Sequence, residues 1–124
     1  MKILTGIDII EINRIKESIE SLGENFKNKI YTEKEIKYCE SKKNAKYQHY
    51  AARFAAKEAV YKAISEHFSD ENYISWKDYE IINDKTGKPK INLIGEKYKD
   101  IESIDVSISH CKEYAIANVI VIYR

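Results

Sequence analysis

Between residues 45 and 67 the chain reads AKYQHYAARFAAKEAVYKAISEH, with no glycine or proline anywhere in the run. Alanine is the strongest helix former and glycine and proline the main breakers, so this stretch predicts one long helix. At about 100° per residue, Ala52, Ala56, Ala59, Val60 and Ala63 fall on one stripe, whose small side chains let a sheet or another helix approach closely. Ala51, Phe54, Glu58 and Lys62 lie opposite. Arg53 and Lys57 are about 100° or more round the axis from Glu58 and are expected to serve a different surface, such as that toward a neighbouring subunit.

The remaining chain offers shorter elements. Residues 2–10 (KILTGIDII) are apolar and β-prone, and they run into Ile12, Ile15, Ile19 and Leu22 at helical spacing, closed by Gly23 as the residue after the helix. A short segment follows near Phe26. Thr32 and Glu35 then form the T-x-x-E pattern of a capping box, predicting a helix start, with a pause near residues 41–44. In the second half, residues 79–82 and 89–93 read as two strands joined by a turn at 84–87, and residues 95–101 as a short helix. Residues 106–109 alternate with period two, and residues 114–123 form a long apolar strand. A chain of 124 residues is the size of one domain. The expectation is a single α+β domain over residues 1–124, with the N-terminal strand and helices packed on a mostly antiparallel sheet.

Charge narrows the partners. Lys plus Arg number 21 against 20 for Asp plus Glu, so no general field draws nucleic acid or an anionic membrane, and neither is an expected partner. An anionic ligand must be held by a local patch. Asp8 and Glu11 stand where a signal peptide needs its apolar stretch, and no run approaches 18 apolar residues, so a cytoplasmic protein is expected. Cys39 and Cys111 have no C-x-x-C spacing and read as reduced thiols.

Two carboxylates on rigid elements, Asp8 on the first strand and Glu58 on the long helix, suit Mg²⁺, which takes one or two protein carboxylates and completes its shell with water and phosphate oxygens. The alternatives are that Asp8 caps the first helix and that Glu58 pairs with Lys62 one turn on. Glu58 shares its face with Ala51 and Phe54, so its carboxylate is expected to be partly desolvated and to want a cation. Lys62, on the same face, is placed either to neutralise phosphate oxygens or simply to face solvent.

Three segments, GIDIIEINRI (residues 6–15), RFAAKEAVYKA (residues 53–63) and SISHCKEYAIA (residues 107–117), resemble the holo-acyl-carrier-protein synthases, the small 4′-phosphopantetheinyl transferases, in order and separation. The resemblance spans essentially the whole chain. It implies the fold of that family and transfer of the 4′-phosphopantetheine group of coenzyme A to a serine of apo-acyl carrier protein, for fatty acid biosynthesis. It also implies that Asp8 and Glu58 are Mg²⁺ ligands, that Lys62 contacts the coenzyme A phosphates, and that these three carry catalysis. Glu58 would in addition orient or deprotonate the attacking serine. Arg53, Ser109 and His110 would bind the nucleotide end of coenzyme A, and Lys42, Lys43 and Lys46 would approach it unless they form a solvated face. Arg14 on the first helix would be the main contact to the acidic carrier protein, among Lys16 and the acids Glu11, Glu17 and Glu20. The family resemblance further implies a homotrimer with sites between subunits, Asp8, Glu58 and Lys62 from one and Arg53 and His110 from the next.

The chain departs from the family where a glycine-rich stretch is usual, reading ISEHFSDENYISWKDYE without one glycine. Backbone amides of such loops cradle phosphate because no side chain blocks them; here Ser65, His67 and Ser69 are the candidates to substitute. Two other functions stay open: a catalytically silent carrier-binding module, and a transferase for carrier domains of polyketide or peptide synthetases.

Overall fold

The glycine-free run forms helix α4, Lys46–Ile64, and continues as a 3-10 turn at Ser65–His67. The structure, a computed structural model, describes residues 1–68 and 75–124. Helix α4 is the central element, and it is enclosed on more sides than a two-faced wheel predicts. Ala52, Ala56, Ala59, Val60 and Ala63 are buried as expected, but so are Ala51 (0% exposed), Arg53 (3%) and Lys57 (0%). Lys57 therefore does not serve a second surface as expected, and Arg53 meets solvent only at the edge of a groove. Alanine-sized neighbours let surrounding elements close over the helix from several directions.

One of these is a three-stranded antiparallel sheet in the order β1-β5-β4, from β1 Lys2–Glu11, β4 Ile101–His110 and β5 Tyr114–Tyr123. Every second residue of the central strand, Ala115, Ala117, Val119 and Val121, is fully buried toward α4. The opening strand thus joins the two last strands. Gly6 makes this possible at one point: a Cβ built there would lie 1.9 Å from the Ala59 carbonyl oxygen. The opposite face of the sheet is uncovered in one chain and leaves Ile3, Ile7 and Ile9 more than half exposed (63, 57 and 60%).

Helix α1, Ile12–Leu22, buries Ile12, Ile15 and Ile19, and Gly23 at φ +60° returns its N–H to the Ile19 carbonyl. A second helix, α2 Glu24–Ile30, starts at once where only a short segment was expected; seven residues carry too little periodicity to announce a helix. Helix α3, Glu33–Glu40, has the expected capping box at Thr32 and Glu35. The pause becomes a 3-10 turn, Lys43–Ala45. The second pair of strands, β2 Tyr79–Asn83 and β3 Pro89–Leu93, forms its own antiparallel sheet. Residues 95–101 hold only a 3-10 turn, Glu96–Tyr98, instead of the expected helix. No helix among the described residues is long and apolar enough to cross a membrane.

Candidate active site

Strand alternation turns Asp8, like Gly6 two residues earlier, toward α4. Its Oδ1 accepts a hydrogen bond from Lys62 Nζ at 3.0 Å, and the same ammonium donates to the Ile7 carbonyl at 3.1 Å. Asp8 therefore does not cap α1, whose N-cap is Glu11, and the ion pair made by Lys62 is with Asp8 and not one turn along its own helix. Glu58 completes the group. Burial, and then the like charge of Asp8, raise its carboxyl above the ordinary 4.5, while Lys62 opposes them. The expected partly desolvated carboxylate is present, and fifty residues of sequence separation collapse into one cluster of two acids and one cation.

That cluster fits a hard divalent cation. One carboxylate whose proton affinity is raised by burial and by its like-charged neighbour, with a lysine already partnering that neighbour, makes a site short of positive charge. Among the described residues no group of three or more His, Cys, Asp or Glu side chains gathers. A pair of carboxylates suits Mg²⁺ when substrate phosphates supply further oxygens. Beside Glu58 opens a cleft of about 290 Å³, lined by Glu58, Tyr61, Trp76 and Tyr79. Trp76 stacks on Phe54 with ring centroids 5.5 Å apart.

A second group forms elsewhere on α4. Arg53 Nη2 donates to Asn83 Oδ1 at 2.6 Å, and its guanidinium lies 4.2 Å from the centre of the Tyr38 ring, with Lys42 Nζ 4.8 Å from the same ring. Arg53 Nε is buried and has no hydrogen-bond partner among the described residues. The adjoining groove, about 390 Å³, carries Lys34, Lys42, Arg53 and Lys85 against one acid, Asp84. His110 approaches this side through His49, with ring centroids 6.4 Å apart, and His49 in turn meets Tyr38 at 5.5 Å. Burial, then the charges of Arg53, Lys42 and His110, lower the His49 imidazole below its ordinary value, favouring its neutral form.

The remaining candidates divide. Lys46 is held by Glu40 at 3.4 Å and Lys43 is exposed, so of the three-lysine cluster Lys42 is the one lining the groove. Ser109 points to the face of the sheet opposite His110, paired with Ile116. Arg14 is exposed on α1. His67 is stacked on Tyr123 at 4.3 Å, and Tyr123 pairs with Lys2, six strand residues or roughly 20 Å from Asp8. Ser65 is in the same 3-10 turn, and Ser69 lies outside the described residues. Sequence reasoning missed Tyr38, His49, Asn83, Tyr61, Trp76 and Tyr79. For His49 a signal existed, one turn before Arg53 on the same helix.

A model of the 4′-phosphopantetheinyl transferase superfamily matches residues 5–119. The chain is 46% identical to a holo-acyl-carrier-protein synthase of Ruminiclostridium cellulolyticum, over 98% of this chain and 92% of that protein. Among solved structures it is similar to the holo-acyl-carrier-protein synthase of Helicobacter pylori in complex with coenzyme A, with a TM-score of 0.82, 33% identity, and coverage of 96% of this chain and 100% of the other. The Bacillus anthracis synthase, in complex with coenzyme A (3′,5′-ADP), gives a TM-score of 0.77 and 36% identity over 95% of this chain and 94% of that one.

Proposed function

The chain belongs to the 4′-phosphopantetheinyl transferase superfamily, and from that premise we infer that it transfers the 4′-phosphopantetheine group of coenzyme A to a serine of apo-acyl carrier protein, releasing adenosine 3′,5′-bisphosphate. The observation that carries this is the convergence of Asp8, Glu58 and Lys62 beside a cleft. In the reaction the serine oxygen bonds to the β-phosphorus of coenzyme A while the bond from that phosphorus to the bridging oxygen breaks, and the bisphosphate departs with the electron pair. Positioning and charge stabilisation supply most of the acceleration in such transfers.

Asp8 and Glu58 would hold Mg²⁺, which when bound neutralises charge on the phosphoryl oxygens. Lys62, tethered at Asp8 and the Ile7 carbonyl, would contact the same oxygens. The Glu58 carboxylate, held above its ordinary value by burial, is suited to accept the serine proton. Arg53, Lys42 and His110 would take the nucleotide end, with Ser109 contributing from the other sheet face, and Arg14 would grip a carboxylate of the acidic carrier protein.

We further propose a single domain over residues 1–124 that assembles as a homotrimer and serves fatty acid synthesis in the cytoplasm. The two site groups lie on different sides of α4, so one coenzyme A would span Asp8, Glu58 and Lys62 of one subunit and Arg53 and His110 of the next. The exposed isoleucines of β1 give an apolar face on which subunits would meet.

The test is intact mass spectrometry of apo-acyl carrier protein incubated with the chain and coenzyme A, with Mg²⁺ present or chelated. A metal-dependent gain of one phosphopantetheine is expected. No gain on any carrier, with coenzyme A still bound, would replace this reading by that of a silent binding module.

A further inference from the structure

Lys57 stands next to Glu58 in sequence and turns into the protein. Its Nζ lies 2.8 Å from Glu35 Oε1, and it donates to the carbonyls of Trp76 at 3.0 Å and Tyr79 at 2.6 Å. Three acceptors match the three N–H groups of an ammonium. Glu35 is equally engaged: Oε1 also accepts from Thr32 N–H at 2.9 Å, and Oε2 from Ile81 N–H at 2.9 Å. Both side chains are fully buried. One ion pair thus ties together α3, α4 and the chain from Trp76 to Ile81.

A buried ion pair is a poor device for stability alone, because apolar residues of equal volume often do as well or better. Its geometry shows what it does here. The two carbonyls that Lys57 binds belong to Trp76 and Tyr79, the residues at either side of a 3-10 turn whose side chains form the cleft wall beside Glu58. Trp76 is held from its ring by Phe54 and from its backbone by Lys57.

The chemistry of the cleft selects its occupant. Its described lining is three aromatic side chains and one carboxylate, with no cation. The bisphosphate end of coenzyme A, rich in negative charge, is better matched by the basic groove at Arg53. The pantetheine arm is uncharged, has apolar methylene and dimethyl groups, and begins at the phosphoryl group that reacts near Glu58. Resting on the function proposed above, we propose that Lys57 and Glu35 are positioning residues that hold the Trp76–Tyr79 wall against the pantetheine arm.

The double variant Lys57→Met/Glu35→Gln removes both charges, so that neither is left buried and unpaired. Trp76 is the only tryptophan of the chain, and its quenching by acrylamide reports the wall directly. The expected result is stronger quenching and a KM for coenzyme A raised about tenfold. Calorimetric affinity for adenosine 3′,5′-bisphosphate, which lacks the arm, should stay within about twofold. Trp76→Ala, with the ion pair intact, should give the same split between the two ligands, and it decides the matter if the double variant does not fold. Unchanged coenzyme A binding in the folded variants, or equal weakening of coenzyme A and bisphosphate, would overturn the proposal. Should the wild-type chain transfer nothing, the transferase reading fails by itself, and the calorimetric comparison of the two ligands still decides this one.

Discussion

Adding a single methyl group at Gly6 should damage both stability and catalysis through one displacement. The Cβ of an alanine there would sit 1.9 Å from the Ala59 carbonyl oxygen, 2.9 Å from its carbon and 3.0 Å from the Ala63 nitrogen, all backbone atoms of α4 that cannot rotate away. Reaching ordinary contact needs β1 to retreat by about 1.5 Å. Overpacking of this kind costs about 1–3 kcal/mol, a fall in Tm of about 4–15 °C for a domain of this size. The same retreat carries Asp8, two residues on, away from Lys62, now 3.0 Å from its Oδ1. A misplacement near 1 Å can cost about a hundredfold in rate, so kcat should drop about that far. Thermal unfolding followed by circular dichroism and carrier modification followed by mass spectrometry read the two effects separately. Gly23→Ala is the control: its φ of +60° makes alanine strained, nothing lies within 4 Å of the new methyl group, and the site is elsewhere. It should lose about 1 kcal/mol and no activity. A Gly6→Ala protein with wild-type Tm and rate would refute the argument that close approach of β1 sets the site.

Glu58→Gln should lower kcat by about 10²–10⁴. Because burial raises the Glu58 carboxyl above 4.5, its contribution to stability is present below that value and lost as pH rises through the raised one, so the variant should also melt higher than wild type near neutral pH. Glu40 behaves oppositely. The Tyr50 hydroxyl, donating at 2.7 Å, and then Lys27 and Lys46 hold its carboxyl below 4.5, so its stabilisation is present above 4.5 and lost as pH falls through the lowered value. Between about pH 5 and 3 the wild-type Tm should fall more steeply than that of Glu40→Gln; parallel curves would remove Glu40 from the account of acid unfolding. Arg14→Ala should raise the KM for the carrier protein about tenfold, the scale of one charge-assisted hydrogen bond, and leave that for coenzyme A unchanged. The reverse pattern would move the docking surface away from α1.

The strands and the long helix were legible because their signals are local. Period-two alternation marks β4, a long apolar run marks β5, the absence of breakers marks α4, and Thr32 with Glu35 marks the start of α3. The motifs in three segments singled out Asp8, Glu58 and Lys62, and the structure brings these side chains together. What escaped depends on contacts distant in sequence. The capping-box glutamate could be read as closing a helix start, yet nothing local shows that the same carboxylate is fully buried against Lys57 and the Ile81 amide. Lys57 was expected to serve a different surface because it lies about 100° or more round the axis from Glu58, and the override is a counter-ion supplied from α3. Trp76 could not be assigned to the cleft, since it sits just after residues that carry no periodic signal.

Each recognisable segment pairs a proposed site residue with a neighbour that points elsewhere. In the first, Gly6 lets β1 touch α4 and Asp8 meets Lys62 as a result. In the second, Glu58 faces the cleft while Lys57, one residue earlier, anchors the backbone of the wall across from it. The third turns His110 toward His49, while Ser109 faces the other side of the sheet. Adjacent residues on a strand or helix necessarily point apart, so a short motif can serve two surfaces at once. Substitutions at Asp8 or Glu58 should therefore change rate and pH dependence in a folded protein, whereas those at Gly6 or Lys57 should also lower stability.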